Sequence, residues 1–183
     1  MRSVILVEPE TPENTGFVAR LCSNFNFELR IVNPGFNLEK ARKTANNSQK
    51  KLRTARIFDS FEDAREDLDY VVGTKPGKGS DCREFQFREN TSIALGRESR
   101  GLTHDELEKC DAVVNIPAKG YSSLSLSHAA SILMYEASKT AEGKNVNSNR
   151  LRVVAQKSGE KVRELIARGS PTDEELDQVL GEL

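Results

Sequence analysis

Val4-Ile5-Leu6-Val7, then Glu8-Pro9-Glu10-Thr11-Pro12-Glu13, then Asn14-Thr15-Gly16-Phe17-Val18-Ala19-Arg20 is the stretch on which the fold turns. A short run in which every residue is apolar reads as a strand covered on both faces, the situation of a parallel sheet between helices. The proline-rich acidic break ends it, and helical spacing follows over Thr15–Asn24. Four more runs of the same kind, at Leu29–Val32, Tyr70–Val72, Ile93–Leu95 and Ala112–Ile116, recur along the chain. Helical patterns separate them: Ser60–Asp67, and a helix opened by Thr103-His104-Asp105-Glu106 with a capping-box spacing. The alternation predicts an α/β fold, a parallel sheet flanked by helices.

Leu126, Ala129, Ala130, Leu133 and Ala137 keep helical spacing, and Ile132 and Met134 widen the apolar stripe. That predicts a helix buried around most of its circumference, the last core element of a domain over 1–141. Polar, linker-like residues occupy 142–148. A helical appendage is expected over 149–183, with no chemistry of its own visible.

The composition, 37% apolar and 30% charged in 183 residues, fits a globular chain rather than a disordered one. Cys22, Cys82 and Cys110 are widely spaced without a C-x-x-C arrangement, which predicts a reducing cytoplasm, no disulfide framework and no zinc site. His104 and His128 are the only histidines, and no metal is expected. No apolar run approaches the length of a membrane span. Net charge is −1, yet Lys40, Arg42, Lys43, Lys50, Lys51, Arg53 and Arg56 fall in one stretch with no acid between them. Such a run is either a phosphate-binding surface or a solvated helix face.

Three loops follow strands, where ligands of open α/β sheets bind. In the first, N-x-G-x-x-x-R from Asn14, the Asn14 side chain is expected to cap a helix, Gly16 lets another backbone come close, and Arg20 lies one turn on. The second is Gly96-Arg97-Glu98-Ser99-Arg100-Gly101-Leu102, two glycines five apart with no G-K-S/T after them, hence no Walker loop. The third runs from Asn115-Ile116-Pro117 through Gly120-Tyr121-Ser122-Ser123-Leu124-Ser125 into the buried helix. Taken singly, each is also what a capped helix or a plain flexible loop looks like.

Together, in this order and spacing, the three resemble the signature motifs of the SpoU-like RNA 2′-O-methyltransferases of the SPOUT superfamily, with the closest likeness to the TrmJ-type tRNA ribose methyltransferases. The likeness runs from about Ser3 to Lys139 and takes in IVNP at Ile31–Pro34 and VVGTKP at Val71–Pro76. It implies a C-terminal deep trefoil knot, a rare exception to unknotted topology. It implies S-adenosylmethionine (SAM) held by Thr74, Lys75 and Pro76, by Gly96, by Ile116 and by Ser122, Ser123 and Leu124. It places Arg20, Asn14 and Glu98 in the catalytic set. A guanidinium is a poor base, so Arg20 is expected to grip phosphate and stabilise developing 2′-alkoxide charge. Phosphate oxygen, water or a transiently neutral arginine remain open as proton acceptor. Glu98 would orient Arg20, close the glycine loop, or merely cap a local turn. The implied partners are tRNA, methylated in the anticodon loop at a position of the 32 type, and a second copy of the chain in a homodimer whose site is completed across two protomers. One residue departs from the pattern: Ser125 stands where the family reads Asn, so a hydroxyl replaces an amide that offers two donors. Two other readings stay open, a catalytically silent SPOUT RNA-binding protein and a SPOUT enzyme methylating another RNA position.

Overall fold

The computed structural model describes residues 2–120 and 123–139. The expected linker at 142–148, the appendage at 149–183 and the candidate Ser122 lie outside them. Seven strands form one sheet: β1 (Ser3–Val7), β2 (Glu28–Val32), β3 (Arg56–Phe58), β4 (Tyr70–Thr74), β5 (Ser80–Asp81), β6 (Thr91–Leu95) and β7 (Ala112–Asn115). Their order is β3-β2-β1-β6-β4-β7-β5, and every pairing between them is parallel.

Alternation along β1 shows why its whole run is apolar. Val4 and Leu6 enter one apolar layer, Ile5 and Val7 the other, because successive side chains of a strand point to opposite faces. The first layer is closed by α1 (Pro12–Phe25), through Val18, Ala19 and Cys22, and by α6 (Leu126–Lys139), through Leu126, Ala130, Leu133, Met134 and Ala137. Two shorter helices, α2 (Arg42–Ala45) and α3 (Gln49–Arg53), add Ala45 and Leu52. On the opposite face α4 (Phe61–Arg65) and α5 (His104–Glu108) bury Phe61, Ala64 and Leu107.

The capping box opening α5 forms: Glu106 N–H donates to Thr103 Oγ1 at 3.3 Å and Thr103 N–H to Glu106 Oε2 at 2.8 Å. Ser60 caps α4 by accepting from the Asp63 amide at 3.1 Å. The α1 cap is where the expectation fails. The helix starts at Pro12, so Asn14 sits inside its first turn, and the capping position belongs to Thr11, whose side chain makes no capping bond. Proline tolerates the first helical position, where its missing N–H would have had no partner, and the start falls three residues earlier than the spacing suggests.

Strands β3 and β5 escape the sequence pattern because they are edge strands of three and two residues, too short to show a period. The basic stretch before β3 is not a continuous helix: 3₁₀ turns at Leu38–Ala41 and Asn46–Ser48 alternate with α2 and α3. Gly16 lets this segment dock on α1, since a methyl there would overlap Thr44 Oγ1 and the Ala41 carbonyl oxygen.

Gly16→Ala therefore reverses the usual helix rule. In an open helix the change gains up to about 1 kcal/mol; here overpacking should cost roughly 1–3 kcal/mol. A lowered urea midpoint at unchanged slope is the expected result, and a raised midpoint would show that the α1–α2 contact is loose.

Candidate active site

Because all strands run the same way, the ends of β1, β4, β6 and β7 lie along one edge of the sheet, and the loops leaving three of them enclose a cavity of about 370 Å³. Thr74, Lys75 and Pro76 line it after β4, Gly96 to Gly101 after β6, and Ile116 after β7; Ser123, Leu124, Leu126 and Ala129 close it at the start of α6. Of the residues assigned to the cofactor, all those within the described chain share this one cavity. Gly96 cannot be replaced cheaply, as a methyl there would overlap the backbone of Gly101 and Leu102 where the loop folds back. Gly101 itself holds φ +70, a left-handed conformation suited to glycine.

Arg97 anchors this loop from beneath. Only 6% exposed, it presents one edge of its guanidinium to Glu8 (Nε to Oε2 2.8 Å, Nη2 to Oε1 2.7 Å). The other edge meets Glu106 (Nη1 to Oε2 2.9 Å, Nη2 to Oε1 3.0 Å). A third contact reaches the Gly101 carbonyl at 3.5 Å. Both carboxylates answer two parallel donors, the geometry that makes arginine pairs strong. Arg97 beside it holds the Glu8 carboxyl below its usual range. For Glu106, burial works against the charged form, but Arg97 and the Thr103 amide outweigh it and the carboxyl still ends low.

For Glu98 the sequence leaves three roles: orienting Arg20, closing the glycine loop, or capping a local turn. Glu98 does not touch Arg20. Its carboxylate accepts from the backbone amides of Glu10 (2.8 Å) and Thr11 (3.2 Å) and from Asn14 Nδ2 (3.2 Å). It thus supplies to the positive end of α1 the anion that Thr11 does not. Glu10 returns the contact, accepting from the Ser99 amide (2.9 Å) and Ser99 hydroxyl (2.7 Å). Asn14, freed from capping, joins a third element, because its Oδ1 accepts from Ser127 Oγ of α6 at 2.9 Å. Ser125 precedes α6 and accepts from the His128 amide at 3.4 Å, while its hydroxyl lies 2.8 Å from His128 Nδ1. The serine standing in the family's asparagine position thus caps the helix.

Arg20 is exposed on α1, does not line the cavity, and makes no ion pair with another described residue. The seven basic residues divide. Arg42 pairs with Glu39 and Gln49, Lys51 Nζ donates to the Phe27 carbonyl at 2.7 Å, and Arg56 pairs with Asp67 while stacking on Phe58. Lys40, Lys43, Lys50 and Arg53 are exposed and form no ion pair among the described residues. Arg97, Glu8, Glu10, Ser99 and Ser127 were not singled out from the sequence. The one available hint was charge: VEPE directly after a buried strand and GRES after another. Among the described residues no three His, Cys, Asp or Glu side chains converge where an ion could sit, and all three cysteines are free.

Residues 1–135 match the model of the SpoU rRNA Methylase family. The chain is similar to the tRNA (cytidine-2'-O-)-methyltransferase TrmJ of Methanocaldococcus jannaschii, 35% identical over 153 residues that cover 74% of this chain and 66% of that relative, just under two thirds of its length. It is also similar to a tRNA (cytidine(34)-2'-O)-methyltransferase of Burkholderia ambifaria, 32% identical over 151 residues, covering 77% of this chain and 96% of the relative. Among solved structures, the SpoU methyltransferase AviRb of Streptomyces viridochromogenes in complex with AdoMet shares the fold, with a TM-score of 0.65 at 23% identity over 76% of this chain and 60% of that one.

Arg97→Met should be among the most damaging single changes in this part of the chain. It leaves the buried Glu106 without a counter-charge and Glu8 with only the exposed Arg100, 3.5 Å away, a loss on the order of 3–5 kcal/mol for a broken buried pair. Both carboxyls are lowered from 4.5, so their contribution is complete above that pH and disappears as the pH falls through the lowered values. Urea titrations at neutral and acid pH should show the wild type losing stability on acidification and Arg97→Met losing less. Parallel pH curves would disprove the role of the pairs.

Proposed function

The chain belongs to the SpoU rRNA methylase family, and on that footing we propose that it is a SAM-dependent methyltransferase acting on a ribose 2′-oxygen in the anticodon loop of tRNA. The observation that carries this reading is the convergence of the loops after β4, β6 and β7 on one cavity. For the nucleotide, the relative named for position 34 favours that position over the 32 type expected from sequence.

The cavity's composition fits SAM. Leu95, Ile116, Leu124, Leu126 and Ala129 supply apolar walls, and Thr74–Pro76 and Gly96–Gly101 supply backbone groups close to them; an adenine and a methionine tail need this combination. When bound, SAM brings an already activated methyl group, so the protein's task is placement and charge stabilisation without added metal. Arg20 grips a phosphate beside the acceptor ribose and stabilises negative charge developing on its oxygen. Glu98 and Asn14 act as positioning residues, seating the start of α1, and through it Arg20, against the cavity loop and α6.

Two further features belong to the proposal. The path is knotted, supported by β7 lying between β4 and β5, so that the β4–β5 connection crosses the end of β7. The chain pairs as a homodimer, which would let an Arg20 that does not line its own cavity serve the partner's. The surface for this is not the apolar stripe of α6. Leu126, Ala130, Leu133 and Ala137 are consumed inside the protomer. Phe17 of α1 (44% exposed) and Ile132 and Tyr135 of α6 (36% and 54%) are exposed large apolar residues of these two helices. No described helix is long and apolar enough to cross a membrane, and a cytoplasmic site of action goes with a tRNA substrate.

With SAM and tRNA, tritiated methyl should appear on a ribose. Label on a base would refute the reaction, and SAM binding without transfer would favour the silent RNA-binding reading. Arg20→Ala should lower kcat by an amount worth roughly 2–4 kcal/mol while leaving SAM affinity near wild type; unchanged turnover would remove Arg20 from the site.

If the basic stretch carries tRNA, its unpaired members should do so. Replacing Lys43, Lys50 and Arg53 together by alanine should weaken tRNA binding and flatten the slope of log K against log salt by up to about 2–3, at roughly 0.7–0.9 per phosphate contact. Arg56→Ala, whose charge is engaged by Asp67, should change that slope little. Equal slopes for wild type and triple variant would move the RNA surface elsewhere.

A further inference from the structure

Lys75-Pro76-Gly77-Lys78 lies on the rim of the cavity and folds as a β-turn, closed by the Lys78 amide donating to the Lys75 carbonyl at 3.2 Å. Proline in the second place and a glycine at φ +71 in the third identify a type II turn. In such a turn the third residue's N–H takes no part in closure, and types I and II differ by a flip of the central peptide. The Pro76–Gly77 peptide can therefore face either way unless something outside the turn holds it.

Asn115 holds it. Its Oδ1 accepts from the Gly77 amide at 3.0 Å, and its own carbonyl accepts from the Cys82 amide at 2.9 Å. Other ties between this segment and β7 are made by backbone: Lys75 N–H to the Val114 carbonyl at 3.1 Å, and the pairing of Ser80 and Asp81 with Val114 and Asn115. Gly79, at φ +80, passes so close to β7 that a methyl would overlap the Val113 carbonyl. Among the described residues the Asn115 amide is thus the one side chain fastening 75–79 to β7. It also holds the direction of the carbonyl of Pro76, a residue of the cavity lining, since the C=O and N–H of a trans peptide point in opposite directions.

We infer that Asn115 is a positioning residue for the cofactor, locking the Lys75–Lys78 turn in its type II form so that the wall at Thr74–Pro76 is preformed. The inference rests on the SAM reading of the cavity. Losing one neutral hydrogen bond should cost about five- to tenfold in SAM affinity.

The test compares the full chain with Asn115→Ala and Asn115→Asp, the second keeping an acceptor oxygen where the first has none. Amide hydrogen exchange without SAM should quicken in Asn115→Ala over residues 74–82 and stay at wild-type rates in β1 and β6. Calorimetry should show SAM binding weakened about five- to tenfold, with tRNA affinity and kcat at saturating SAM close to wild type; Asn115→Asp should restore both exchange and affinity. Unchanged exchange at 74–82, unchanged SAM affinity, an aspartate no better than alanine, or exchange rising across the whole sheet would each overturn the inference. Should the alanine variant not fold, the aspartate comparison decides alone. A wild-type protein that binds no SAM would defeat the cofactor reading instead, leaving exchange in the free protein to judge the latch.

Discussion

A buried guanidinium is tolerable only when its donors are answered, and Arg97 meets that condition in a way that organises this end of the molecule. Glu8 comes from the end of β1, Glu106 from α5, and the Gly101 carbonyl from the return of the loop itself. Removing Arg97 leaves Glu106, only 13% exposed, without a partner. Glu8 sits at φ +45, a conformation costing a non-glycine residue on the order of 1–3 kcal/mol, and the pair with Arg97 is what offsets it. The glycine loop lining the cavity is thus held by the Arg97 charge pairs together with the close approach that Gly96 allows.

Above that anchor the same two segments interlock a second time through Glu98 and Glu10, each receiving amides from the other's loop. Reciprocity matters here. A carboxylate at the surface contributes little through charge alone, but one that satisfies backbone donors at a helix start settles where that helix begins. Asn14 carries the link on to Ser127, so the β1–α1 turn, the β6 loop and the first turn of α6 share one hydrogen-bond network. The remaining wall, Thr74–Pro76, is tied instead to β7.

Much of this was legible beforehand. The apolar runs named the central strands because a strand buried on both faces has no polar alternative, and the cofactor candidates fell together because parallel strands deliver their carboxyl ends to one edge. The likeness assigns Asn14 and Glu98 to the catalytic set, but not the partners they have in the structure, the start of α1 and Ser127. Asn14 looks like a cap when the helix is taken to begin at Thr15, and only Pro12 at the helix start shows otherwise. The basic stretch reads as seven equal charges, whereas three of them spend that charge on Phe27, on Asp67, and on Glu39 with Gln49.

Sequence alone determined the types of the central elements and the family likeness, because burial on two faces, helical period and glycine spacing are local properties written in neighbouring residues. It also determined which loops leave the strands at the ligand-binding edge. Tertiary structure decided everything that depends on residues far apart in the chain meeting: that Arg97 faces Glu8 rather than solvent, that Glu98 serves the start of α1 rather than Arg20, that β7 lies between β4 and β5, and that Asn115 reaches Gly77. Pairing across 38 to 113 positions follows from the path of the backbone through the sheet, and no local pattern encodes that path.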